Sequence, residues 1–262
     1  MLKKLLKYDL KWCFKPLVVF YLLACIFAIL VRVIESFDQS LFLLIMDKIC
    51  CGALIAMVIN IIINCFMRNW ARFIKNIYKD ESYLTHTLPI ARSQIYLSKV
   101  LTAIITLLTS FIVIVGVLAI SSLNADTWAF LKNTLEQSAI YFNTSIIALV
   151  MTFICTVFFQ FLYMIMSGIV GIIIGYKSNN LRIVKSILLG FAIYYILSSL
   201  SIGIVFISGV ISPDIMTMFT EVVISSNVIK TVLIIITVSY AIYNIVLFII
   251  GNKMLNKGVN VD

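Results

Sequence analysis

Of the 262 residues, 63% are hydrophobic and only 12% are charged, with a mean hydropathy of +1.13. A soluble domain carries about 25% charged residues and about half apolar ones. No soluble core could hide this much apolar surface, so the composition excludes a soluble globular domain and implies an integral membrane protein.

The N-terminal stretch MLKKLLKYDLKWCFKP reads as an amphipathic interfacial helix over 1–15. At 100° per residue, Leu2, Leu5, Leu6, Leu10, Trp12 and Cys13 share one arc, and Lys3, Lys4, Lys7, Lys11 and Lys15 share the opposite one. Such a helix can lie in the headgroup plane, with Pro16 marking the turn into the first span. Asp9 is the misfit in the apolar arc. Two readings stand: it faces protein and pairs with a base from the 68–99 connection, or it snorkels to headgroup water. No small-residue cleavage site ends the apolar run that follows, so the segment reads as retained and not as a signal peptide.

Six apolar runs are long enough to cross a hydrocarbon core, which takes about 20 helical residues. They fall at about 17–34, 49–67, 100–121, 139–174, 187–211 and 229–251. They are continuous blocks without the alternation of barrel strands, so the expected fold is all-α with six transmembrane helices in a domain over 16–262. If the N-terminus is cytoplasmic, all of the 20 basic residues except Arg32, Lys48, Lys132 and Lys230 fall on the inner side. Glu35, Asp38, Asp47, Asp126, Glu136, Asp214 and Glu221 fall on the outer side. The positive-inside rule then places both termini in the cytoplasm. The net charge of +9 becomes a signal of topology and of attraction to anionic lipid, not of nucleic-acid binding.

The fourth run is too long. No charged residue occurs from 139 to 175, and one helix of that length would measure roughly 55 Å against a core of about 30 Å. Either it projects into the cytoplasm or it breaks, and Gly168, Gly171 and Gly175 suggest close packing or a bend near its end. The run GIIIGYKS (171–178) is no phosphate loop, because it has three residues between its glycines where that loop has four.

No catalytic cluster is apparent. Cys13, Cys25, Cys50, Cys51, Cys65 and Cys155 lack metal or redox spacing, and His86 is the only histidine. Away from their ends the spans carry no Asp, Glu, Lys, Arg or His, which argues against a proton-coupled transporter. They do carry mild polarity at helical spacing: Thr102, Thr106 and Ser110 in the third; Thr152, Thr156 and Gln160 in the fourth; Asn60 and Asn64 in the second; Tyr240 and Asn244 in the sixth. These stripes either hydrogen-bond between helices or line a weakly polar substrate path. The absence of fixed charge favours an amphipathic or hydrophobic substrate over a small charged one.

The longest polar connection lies over 68–99. Its first half, RNWARFIKNIYKDESYL, places Trp70, Phe73, Ile74, Ile77 and Tyr78 at helical spacing, as an amphipathic helix continuing the second span. A break is expected at Leu88-Pro89. A new helix should follow, with Ser93 as a possible N-cap and Lys99 at the membrane edge. The run DESYLTHTLPIARSQIYLSK (80–99) resembles the segment between the second and third spans of ABC-2-type permeases, the membrane subunits of ABC exporters. The shared pattern is an LPISR-like run with a lysine several residues on, here Leu88, Pro89, Ile90, Ala91, Arg92 and Lys99. Ala91 departs from the hydroxyl common in that family.

The resemblance implies a permease that pairs with a second permease subunit, identical or different, around a central path. A dimer of separate ATPase subunits, holding ATP and Mg2+, would dock on 68–92. This chain would then be neither an enzyme nor the holder of a cofactor. The coupling residues so implied are Arg72, Lys75, Tyr78, Asp80, Glu81, His86, Leu88, Pro89 and Arg92. The richness in Ile, Lys and Asn suggests the AT-rich genome of a Gram-positive bacterium, and the resemblance together with the uncharged spans points to a cell-membrane exporter of an antimicrobial peptide, drug or lipid. The alternative is a non-transporting membrane immunity or sensory protein that binds an antimicrobial peptide.

Overall fold

The computed structural model describes all residues except 1, 38, 39, 88, 123, 124, 179, 221–223 and 259–262, and the side chains of His86, Ala125 and Asp126 also fall outside the description. The described residues form helices joined by short turns, with no strand among them. In chain order these are α1 (Leu2–Glu35), α2 (Leu41–Ile77), α3 (Ser82–Thr87), α4 (Arg92–Ser122), α5 (Ala125–Tyr141), α6 (Ile146–Gly175), α7 (Arg182–Ile211), α8 (Pro213–Thr220) and α9 (Ser226–Asn256). Six of them, α1, α2, α4, α6, α7 and α9, are long and apolar enough to cross a membrane, and each contains most of one expected span.

Three local expectations are corrected. First, the turn at Pro16 is absent: α1 runs through it. A proline inside a helix costs one backbone hydrogen bond. Here Cys13 and Leu17, one turn apart across the proline, are both fully buried, and their packing holds the helix together. Lys3, Lys4, Lys7, Lys11 and Lys15 are all exposed.

Second, α2 stops at Ile77 and does not continue through the 78–84 stretch. Asp80, a residue that favours turns over helix interiors, sits in the tight turn closed by the Ser82 amide donating to the Lys79 carbonyl at 2.6 Å. Third, Ser93 caps nothing. α4 begins one residue earlier, and it is the Ala91 carbonyl that accepts from the Ile95 amide.

The long fourth run breaks near its start. Asn143 takes a left-handed conformation (φ 47°), the Thr144 amide donates to the Ala139 carbonyl at 2.9 Å, and the Asn143 amide donates to the Ile140 carbonyl at 3.0 Å. This pair of bonds is the Schellman ending of a helix, with asparagine in the position that glycine usually fills. Ser145 then caps α6, its hydroxyl accepting from the Ala148 amide at 3.2 Å.

The chain divides into two compact units, 1–76 with 88–131 and 77–87 with 132–262. In the first, α1 packs along α4, and Ala24, Ala28, Leu54, Ile61 and Val117 close a core to which α1, α2 and α4 all contribute. In the second, α6 packs on α7 and α9. The glycines near the end of α6 serve close approach: a Cβ at Gly171 would collide with the Gly190 backbone and lie 2.9 Å from the Ser186 carbonyl oxygen. A Cβ at Gly175 would strike Ser186. Small residues at such a seam let two helices come together where no hydrophobic drive exists between them. Val205, Ile215, Val228 and Val232 gather α7, α8 and α9 into a second core.

Candidate functional site

The misfit of the N-terminal helix is resolved in the first unit. Asp9 is buried, and its Oδ1 accepts from Arg72 Nε at 2.8 Å and from Lys99 Nζ at 2.7 Å. Its Oδ2 accepts from the Ser98 hydroxyl at 2.9 Å. The carboxylate therefore faces protein and pairs with bases from the 68–99 connection, and the snorkelling alternative does not occur. Lys99, expected at a membrane edge, is buried instead, because Asp9 offers it a partner that lipid cannot.

One turn further along α1, the Trp12 ring lies 5.6 Å from the guanidinium carbons of both Arg68 and Arg72. A guanidinium at that distance is attracted by the face of the indole ring. Two cations thus meet one carboxylate, and the indole supplies further negative potential. Taking charges out of water costs several kcal/mol per ion, and only close pairing of this kind repays it.

The other residues expected to couple divide by burial. Tyr78, in the second unit, is buried and stacks on Tyr176 with ring centroids 4.3 Å apart. Burial, with Tyr176 adding to it, raises the pKa of the Tyr78 phenol. Lys75 and Glu81 are half-buried, while Asp80, Pro89 and Arg92 are exposed. Leu88 and the His86 side chain lie outside the described residues.

The polar stripes also divide. On α4, Thr102, Thr106 and Ser110 are buried, with Thr106 accepting from Asn69 Nδ2 at 3.0 Å and Ser110 bonded to the Tyr21 hydroxyl at 2.7 Å. These are bonds between helices. Asn60 and Asn64 donate back to the carbonyls of Ala56 and Asn60, each at 2.9 Å.

In the second unit, Thr152 donates to the Ala148 carbonyl at 2.7 Å, and Thr156 bonds Thr237 across the α6–α9 seam. Asn244 donates to the Phe159 carbonyl at 3.0 Å, but its buried Oδ1 finds no partner among the described residues. Gln160 and Tyr240 are half-buried nearby in sequence on the same two helices.

Sequence reasoning missed the centre of this region. Tyr163 stacks on Tyr194 (5.0 Å) and on Tyr240 (5.6 Å), leans against Tyr243 and bonds the Ser198 hydroxyl at 2.9 Å. The available signal was four tyrosines placed inside three apolar runs.

This architecture defines a multi-pass membrane protein whose first three long helices are tied by a buried ionic cluster. No family model matches the chain, and neither the curated proteins nor the solved structures yield a match.

Proposed function

We propose that the chain is the membrane-spanning permease subunit of an ATP-driven exporter. It moves an amphipathic or hydrophobic substrate (peptide, drug or lipid) out of the cell, powered by a separate ATPase docked on the 68–92 segment. The observation that carries this reading is the convergence on Asp9. Arg72 reaches it from the helix that enters the connection, and Lys99 from the helix that leaves it. A push on the connection is then felt by α1, α2 and α4 together, as a coupling device requires.

In this reading the coupling residues have two jobs. Asp80, Pro89 and Arg92, being exposed, are the ones that meet the ATPase. Arg72 and Tyr78, being buried, pass the displacement inward. ATP and Mg2+ belong to the partner chain, and a second permease subunit completes the path across the membrane. Gln160, Tyr240 and Asn244 line that path in this unit. The support is their polarity on otherwise apolar helices: Gln160 and Tyr240 are half-buried, and the Asn244 Oδ1 has no partner among the described residues, which is costly in hydrocarbon. The distribution of basic residues supports a cytoplasmic side for both termini and the 68–99 connection.

The test is purification from native membranes in mild detergent. Wild-type protein should bring down an ATP-hydrolysing chain. Arg92→Glu and Asp80→Lys should lose it at least tenfold while inserting and migrating normally. If wild-type protein brings down no ATPase, the exporter reading fails and a non-transporting immunity or sensory role takes its place.

A further inference from the structure

The second unit holds a cavity of about 470 Å³ beside the start of α7, lined by Tyr78, Lys79, Tyr176, Arg182, Ile183 and Val184, with Leu181 at its edge. One wall is the stacked pair Tyr78–Tyr176, which gives a rigid aromatic surface. The cations are Lys79, exposed, and Arg182, half-buried and held by its Nε donating to the Ser178 carbonyl at 3.0 Å. Lys177 and Lys185 stand beside them in the chain, and Lys185 is tied back to the Ser178 hydroxyl. The acids nearest in sequence are Asp80 and Glu81, in the turn that follows Lys79.

Two more features give this cavity its chemistry. Leu181, at the N-cap position of α7, has φ 54° and offers no side-chain cap, so the first-turn amides of a 30-residue helix receive no cap from it. Such amides carry the positive end of the helix dipole and favour an anion. On the same helix, Ile183 and Val184 are each 50% exposed, and Ile187 and Leu188, one turn on, are 54% and 63% exposed. Because α7 is long and apolar enough to cross a membrane, its first turns lie where headgroups give way to acyl chains. Cations and amides at the helix start, with bare aliphatic side chains one turn further on, match an amphiphile with an anionic head.

We propose that this cavity binds an anionic phospholipid, its phosphate held by Lys79, Arg182 and the start of α7, and its acyl chains lying along Ile183, Val184, Ile187 and Leu188. The arrangement calls for both halves of that ligand. A free phosphate would leave the aliphatic strip unused, and a zwitterionic lipid would bring its own cation against Lys79 and Arg182. The site needs no ATPase and no transport, so it stands or falls separately from the exporter reading.

The test measures binding of a fluorescent phosphatidylglycerol to the full chain in a zwitterionic detergent, with phosphatidylcholine as the reference lipid. Each cation near an anionic headgroup strengthens binding several-fold. Lys79→Gln with Arg182→Gln should therefore weaken phosphatidylglycerol about tenfold or more and leave phosphatidylcholine unchanged. Lys3→Gln with Lys4→Gln, the same loss of charge on the exposed face of α1, should leave both unchanged. Lys79→Gln alone, at an exposed position, should give a smaller loss in the same direction without disturbing the fold. Equal weakening by the two double variants would overturn the proposal in favour of diffuse charge attraction. Displacement of the lipid by inorganic phosphate at comparable concentration would overturn it in favour of a small-anion site.

Discussion

At the scale of single residues, Asp9 decides most. It sits at the meeting point of two buried cations, so its loss removes the carboxylate that Arg72 and Lys99 share. Breaking a buried pair by removing one partner costs about 3–5 kcal/mol, whereas replacing the charges with packed apolar groups can be nearly neutral. Asp9→Ala should therefore sharply lower the thermal midpoint and the yield of monodisperse protein, as read by size exclusion after heating in detergent. Adding Lys99→Met to it should recover a large part of the loss. A single variant as stable as wild type would show that the cluster contributes little. The sequence made half of this site legible: an acid in the apolar arc of a lysine-rich helix calls for a base, and the 68–99 connection holds many. It could not select Lys99, because linear position shows only that a lysine precedes a span. Which helix face it meets is set by how α1 lies along α4.

Among the elements, hydropathy located every long helix but read their ends less well. Ile77 and Arg92 show why: each end is set by local bonds that an apolar average does not register, just as it does not register the packing that carries α1 through Pro16. The excess length of the 139–174 run left a projection or a break open, and the triplet Asn143-Thr144-Ser145 marks the break by turn chemistry that a hydropathy count passes over. That triplet carries a prediction. Asn143→Val puts a β-branched residue into the left-handed region and should cost about 1–2 kcal/mol, while Asn143→Gly should be neutral or slightly stabilising. Ser145→Ala removes the cap of α6 and should cost about 1 kcal/mol. Thermal unfolding of the three variants checks the order, and a valine variant as stable as the glycine one would show that the break is held by something other than Asn143.

At the scale of the whole molecule, the two units treat their polar residues differently, and this bears on where a substrate could pass. In the first unit the α4 stripe is buried and bonded to neighbouring helices, so Thr106 and Ser110 have their partners inside the protein. In the second, Asn244 keeps a bare acceptor, with Gln160 and Tyr240 half-buried on the same pair of helices. If these line a path, water reaches them; if they only pack, it does not. Thiol labelling separates the two, since a charged, membrane-impermeant reagent reacts with a cysteine only where water can ionise it. In a background with all six native cysteines replaced, Gln160→Cys and Tyr240→Cys should label at least tenfold faster than Ile154→Cys. That order runs against geometric exposure, because Ile154 is 46% exposed. Slow labelling at all three positions would make the stripe a packing feature, and the path would have to be sought on other helices or on a partner subunit.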